Sequence, residues 1–118
     1  ALDLTVCDAF DFKPSIKFDA IGLLYAHMPA ELRHEFHTRV VDWLKPGGTL
    51  ILEGFHQDQL QFDSGGPRSK SMLFTPEMLA QDFNGLHLEM NEYSRKILNE
   101  GPFHQGEARI HRLIGVKS

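Results

Sequence analysis

The chain has 118 residues, 42% hydrophobic and 24% charged, with a formal net charge of −4 and a pI near 5.9. These figures describe a single globular domain, 1–118, and exclude the basic footprint of a nucleic-acid or anionic-membrane binder; no apolar run reaches membrane-spanning length. Cys7 is the only cysteine, so no internal disulfide forms; it reads as a small buried hydrophobe, and the start, ALDLTVCDAF, lacks a basic signal region, so a cytoplasmic protein is expected.

Residues 2–7, LDLTVC, read as a short strand with Asp8 just past its end, followed by a loop that Pro14 restricts to at most one helical turn. Residues 19–26, DAIGLLYA, are the most apolar stretch and read as a central strand, with His27-Met28-Pro29 at its carboxyl end. Pro29 suits the first helical position, where its missing N–H costs nothing. From there to Leu44, the residues Leu32, Phe36, Val40, Trp43 and Leu44 recur at three- and four-residue spacing, the stripe of an amphipathic helix. Glu31, Arg33, His34, Glu35, Arg39 and Asp42 form its solvated face, with Glu35 and Arg39 an i,i+4 pair worth a few tenths of a kcal/mol. His34 and His37, three apart, have no third ligand at metal-binding spacing, so they read as part of that face and no metal is expected.

The centre of the chain is VVDWLKPGGTLILEGF, residues 40–55. Pro46 ends the helix, Gly47 and Gly48 offer the positive φ of a helix terminus, and Thr49–Leu52 is an apolar run expected to be a strand covered on both faces. Helix, break and buried strand predict a parallel α/β sheet, in which ligand sites lie beyond the carboxyl ends of the strands, here Glu53-Gly54-Phe55. A long polar segment follows, and its Gly65-Gly66-Pro67 reads either as a loop that lets a substrate approach closely or as a plain turn. Thr75-Pro76-Glu77 starts a helix over about 76–83 that buries Met78, Leu79 and Phe83. Strands at 86–98 and 107–117, with no crossover helix between them, are expected to pair antiparallel.

His27, Glu53 and His104 fall where strand ends and loops converge, which suits a histidine base oriented by a carboxylate. The competing reading has His27 satisfying a helix start and Glu53 a neighbouring backbone donor. Tyr25 reads first as core. Phe36, Trp43, Phe55, Phe74 and Phe83 read mostly as core.

FDAIGLLYAHMP, WLKPGGTLILEGF and ILNEGPFHQGEARIHRLIGVK together resemble the C-terminal half of class I S-adenosylmethionine-dependent methyltransferases. The combination of EGF, GGP and EGPFHQG is similar to a small bacterial branch related to tellurite-resistance methyltransferases. The resemblance implies a three-layer, Rossmann-like α/β sheet, truncated to about five strands near 3–7, 20–26, 49–54, 86–95 and 107–116. That sheet is mostly parallel, with an antiparallel C-terminal strand lying between 49–54 and 86–95. It also implies that Asp8, with Ala9 beside it, matches the acid near the adenine amine. Tyr25 would then line the cofactor wall, and His27 would sit where cofactor and substrate meet. The departure is at the front: the family's glycine-rich turn and ribose-binding acid have no counterpart, and the first glycine, Gly22, lies inside a strand. The expected function is therefore a methyltransferase-derived module that neither binds S-adenosylmethionine nor transfers methyl groups by itself. The alternative is a small-molecule methyltransferase completed by a longer chain or a second one. Missing the strand beside DAIGLLYA, the chain is expected to dimerise through residues 1–26.

Overall fold

The helix expected from Pro29 is α1, Ala30–Trp43, in the computed structural model of the chain, which describes residues 9–61, 67, 69–99 and 105–118. Pro29 sits one position before the helix and caps it through its carbonyl, which accepts the N–H groups of Leu32 and Arg33 at 2.9 and 3.0 Å. The buried side is Phe36, His37 and Val40. Leu32, expected on the stripe, is 40% exposed, whereas His37, expected on the solvated face, is buried.

The Lys-Pro-Gly-Gly break works by two different means. Gly47 takes φ +83°, a left-handed conformation that costs a side chain dearly. Gly48 is needed for space, since a Cβ there would lie 2.8 Å from the Lys45 carbonyl oxygen. The chain then runs as β2, Leu44–Phe55, parallel to β1, Phe18–Leu24. Helix α2, Pro76–Asp82, begins at Thr75, whose Oγ1 accepts the Met78 N–H at 3.2 Å. The long hairpin β3, Leu86–Asn99, and β4, Gln105–Lys117, completes the sheet.

The strand order is β1-β2-β4-β3, with β4 antiparallel to both neighbours, so 107–116 lies between 49–54 and 86–95 as expected. Strand 20–26 lies at 18–24 and forms the edge of the described sheet; the strand expected at 3–7 falls outside the described residues. Both helices pack on one face, where Phe36, Val40, Leu79 and Phe83 close over Leu50, Leu52 and Leu113. The described residues therefore make two layers and four strands. Among the described residues Thr49–Leu52 is covered on one face only: Leu50 and Leu52 point into the core, while Ile51 between them is 48% exposed. A smaller cluster of Phe55, Leu73, Ala108 and Ile110, with Tyr25 and Leu60 against it, covers the carboxyl end of the other face. Among the described residues no helix is long and apolar enough to cross a membrane.

Candidate functional site

Parallel strands β1 and β2 both end at the same rim, and the side chains there come from Tyr25, His27, Glu53, His56 and the facing part of β4. Tyr25 leaves β1 with φ +56°, a left-handed conformation uncommon for a residue with a side chain, costing on the order of 1 kcal/mol. Its surroundings hold it there. The Tyr25 N–H donates to the Glu53 carbonyl at 2.7 Å, its hydroxyl donates to Glu53 Oε2 at 2.6 Å, and its ring meets Phe55 edge-on at 5.0 Å. Glu53 pairs in register with Arg112, whose Nε–H donates to Oε1 at 2.7 Å. The hydrogen bond to Glu53 raises the Arg112 pKa, and the carboxylate charge adds to it. The result is a hydroxyl, a carboxylate and a guanidinium in one chain at the strand ends, a group able to orient a polar ligand.

His27 is placed beside this chain, but both ring nitrogens are engaged. Nδ1 donates to the Met72 carbonyl at 2.6 Å and Nε2 accepts the Phe55 N–H at 3.0 Å, so the neutral Nδ1–H tautomer is the one that satisfies both. The ring stacks on Phe74 at 4.6 Å and on Phe55 at 5.7 Å. Burial lowers its pKa, with the Met72 carbonyl opposing. In this geometry His27 clasps the two backbone segments together and offers no open lone pair. The stack also explains Gly54: a Cβ there would lie 2.3 Å from the Phe74 ring. Gly54→Ala is expected to destabilise the fold by about 1–3 kcal/mol through this overlap. Urea unfolding measures it, and a midpoint unchanged from wild type would contradict the packing.

Further along the rim, His111 is fully buried. Asn91 Nδ2 donates to the Pro76 carbonyl at 3.0 Å, which turns its Oδ1 toward His111 Nε2; that nitrogen carries the proton, and buried Nδ1 has no hydrogen-bond partner among the described residues. Burial lowers the His111 pKa to about 4, repulsion from His56 adds to this, and Glu77 opposes it. His56 accepts the Asp58 N–H on Nδ1 at 3.0 Å and meets the Tyr93 ring at 4.5 Å.

Asp82 had no place among the expected site residues, yet it organises the seam between α1 and α2. Arg33 Nε and His37 Nδ1 donate to its Oδ2 at 2.8 and 2.7 Å, and His34 Nδ1 donates to Oδ1 at 2.9 Å. Burial pushes its pKa up, but the hydrogen bonds from His37, Arg33 and His34 outweigh that and hold it well below the ordinary carboxylate range. His37 also stacks on Phe83 at 4.5 Å. The cluster ties α1 to α2 and is far in sequence from Glu53. Among the described residues no group of three or more His, Cys, Asp or Glu is arranged to hold a metal ion.

Of the remaining expected positions, Ala9 opens the short turn Ala9–Asp11 and packs on the main core, and Pro67 is half-buried. Asp8, His104, Gly65 and Gly66 lie outside the described residues. Tyr25 and Glu53 are brought together; Arg112 joins them through strand register alone. A nucleotide-type cofactor needs a glycine turn at the carboxyl rim. The described residues do not supply one: the positive-φ glycine, Gly47, lies at the amino end of β2, and Gly22 is mid-strand.

The described sheet and its helices have the fold of part of a class I S-adenosylmethionine-dependent methyltransferase. Similar solved structures include TehB from Haemophilus influenzae, with a TM-score of 0.72 at 12% identity, covering 97% of this chain and 40% of TehB. The N-methyltransferase NodS from Bradyrhizobium japonicum, in complex with S-adenosyl-L-homocysteine, gives 0.66 at 11% identity, covering 94% of this chain and 52% of NodS. Magnesium protoporphyrin IX methyltransferase from Synechocystis, with bound S-adenosyl-L-homocysteine, gives 0.60 at 14% identity, covering 95% and 49%. The chain thus spans about half the length of these proteins or less. No family model and no curated sequence matches it.

Proposed function

We propose that this chain is the substrate-side half of a small-molecule methyltransferase, and that alone it is an assembly module that does not hold S-adenosylmethionine. The observation that carries this reading is the pairing of a methyltransferase-type sheet with no glycine turn at the carboxyl ends among the described residues. On this reading the third layer and the further strand arrive with a completing segment. Tyr25, Glu53 and Arg112 orient the substrate, and His27 shapes the pocket from behind; the roles expected for Asp8, His104, Gly65 and Gly66 fall to residues outside the described ones. S-adenosylmethionine, once held by the completed domain, supplies the methyl group.

The test is calorimetry of the isolated chain with S-adenosyl-L-homocysteine. Without the close backbone approach and the ribose acid, no saturable binding is expected below about 1 mM. Micromolar binding by this chain alone would overturn the proposal.

A further inference from the structure

At the far end of the sheet from β1, the outer side of β3 has no strand partner among the described residues. The strand runs 14 residues, Leu86–Asn99, and an irregularity in its pairing with β4 between Leu88 and Met90 bounds the regular stretch. Charges on such an edge ordinarily discourage pairing, because a like strand brings like charges together. Here they are sorted along the strand. The acids, Glu89 and Glu92, come first, and the bases, Arg95 and Lys96, follow. Laid antiparallel against itself, this edge opposes acid to base; laid parallel, it opposes like to like.

One register suits the whole edge. Opposed residues of an antiparallel pair share a sheet face, so a two-fold axis normal to the sheet has to lie level with a residue. Level with Ser94, the axis sets Glu92 opposite position 96, a lysine, and Met90 opposite position 98, a leucine, on one face. On the face that carries the helices it sets Tyr93 opposite Arg95 and Asn91 opposite Ile97. Tyr93 is 42% exposed, and Ile97, at 75%, is the most exposed of the large hydrophobic side chains described. Each Tyr93 gains the Arg95 guanidinium of the second copy beside its ring, with that copy's Ile97 on the diagonal. Arg95 Nε lies 3.3 Å from Glu107 Oε1 of its own chain, which offsets the approach of the two arginines across the axis. Other registers do worse. Level with Glu92 or Arg95 the axis opposes a charge to itself, and level with Tyr93 it sets Glu92 against a serine.

The geometry points to a homodimer in which two copies of β3 pair antiparallel about Ser94, so that one sheet runs through both molecules. It uses the edge opposite β1, and so stands apart from the function proposed above and from the dimer expected through residues 1–26. About nine residues a side, 90–98, make a small interface, of the kind that gives a dissociation constant of about 1–50 μM.

The test is cross-linking and sedimentation of the chain in a Cys7→Ser background, which removes its one native thiol. Directly opposed residues of an antiparallel pair have Cα atoms about 4.5–5.5 Å apart, within disulfide reach. Ser94→Cys should therefore give a covalent dimer with oxidised glutathione as the oxidant, and none once urea has unfolded the chain. Glu92→Cys alone should give none, because about 13 Å of strand separates the two copies of position 92; mixed with Lys96→Cys it should cross-link. Sedimentation should show a dimer whose dissociation constant rises about tenfold or more in Lys96→Glu and in Glu92→Lys, and returns to within about threefold of wild type when both are exchanged. Leu24→Lys, at the exposed end of β1, should leave it unchanged. Glu92 also lies opposite Arg112 on β4, so circular dichroism verifies that Glu92→Lys folds; position 96 lies opposite Ala108, so Lys96→Glu gives the reading without that neighbour. A chain that stays monomeric at about 100 μM overturns the inference. So does a dimer that fails to cross-link at 94, that cross-links equally at 92, that ignores the charge exchange, or that Leu24→Lys dissolves.

Discussion

Asp82→Ala is expected to cost about 3–5 kcal/mol, a large part of the stability of a domain this size. The carboxylate side chain is 2% exposed, and it receives donors from His37, 1% exposed, and Arg33, 15% exposed. Removing it leaves a guanidinium and an imidazole N–H facing each other in the α1–α2 seam with no acceptor, which is the expensive way to break a buried pair. Asp82→Asn keeps one acceptor but lacks the charge, so its loss should be roughly half as large. The pH behaviour has a definite sign. Because the folded pKa lies below the unfolded value of 3.8, Asp82 contributes its full stabilisation above that value and loses it as the pH falls further. Urea unfolding at neutral pH checks the magnitude through the midpoint, with the denaturant slope unchanged. A loss under about 1 kcal/mol for the alanine variant would mean that the cluster is solvated and does not lock the helices.

How far such a cluster can be read from sequence depends on which contacts are local. The stop at Pro46-Gly47, the Thr75 cap and the antiparallel β3–β4 pair are local or near-local, and each sits where the residue pattern puts it. Asp82 is not local. It lies at the end of a short helix, where the dipole disfavours an acid, and its partners are 45 to 49 residues away. One signal was available: His37 falls on the same helix flank as Arg33, Val40 and Leu44, at spacings of four, three and seven residues, so a buried rather than solvated histidine was readable. Arg112 needed register. Only the pairing of β2 with β4 sets it opposite Glu53, and a one-residue slip would turn it to the other face. Ile51 misled because an unbroken apolar run looks the same whether one face or two are covered. What the sequence does contain is the reason for the rim, since Gly54 is required by Phe74 and Glu53 closes onto Tyr25.

Acid should destabilise the fold well before its carboxylates protonate, through His111. Its pKa falls from 6.5 in the unfolded chain to about 4 in the folded one, because burial and the neighbouring His56 both disfavour the imidazolium. The unfolded state therefore binds the proton more tightly. Stability is full above pH 6.5, declines as the pH falls toward 4, and declines no further from this group below that; the total is about 3 kcal/mol. The geometry agrees with the sign. Asn91, oriented by the Pro76 carbonyl, holds the proton on Nε2, so protonation must add an N–H at Nδ1, where the described surroundings offer no acceptor. His27 pushes in the same direction, because a proton on its Nε2 would confront the Phe55 N–H that now donates to it. His111→Gln removes the titration and keeps a donor for Asn91. Urea midpoints taken at intervals from pH 7.5 to 4.5 should fall steeply for the wild type, and for the variant retain only the part due to His27, His56 and the carboxylates. Parallel pH curves for the two proteins would show that His111 is hydrated in the folded state and would remove this explanation of acid lability.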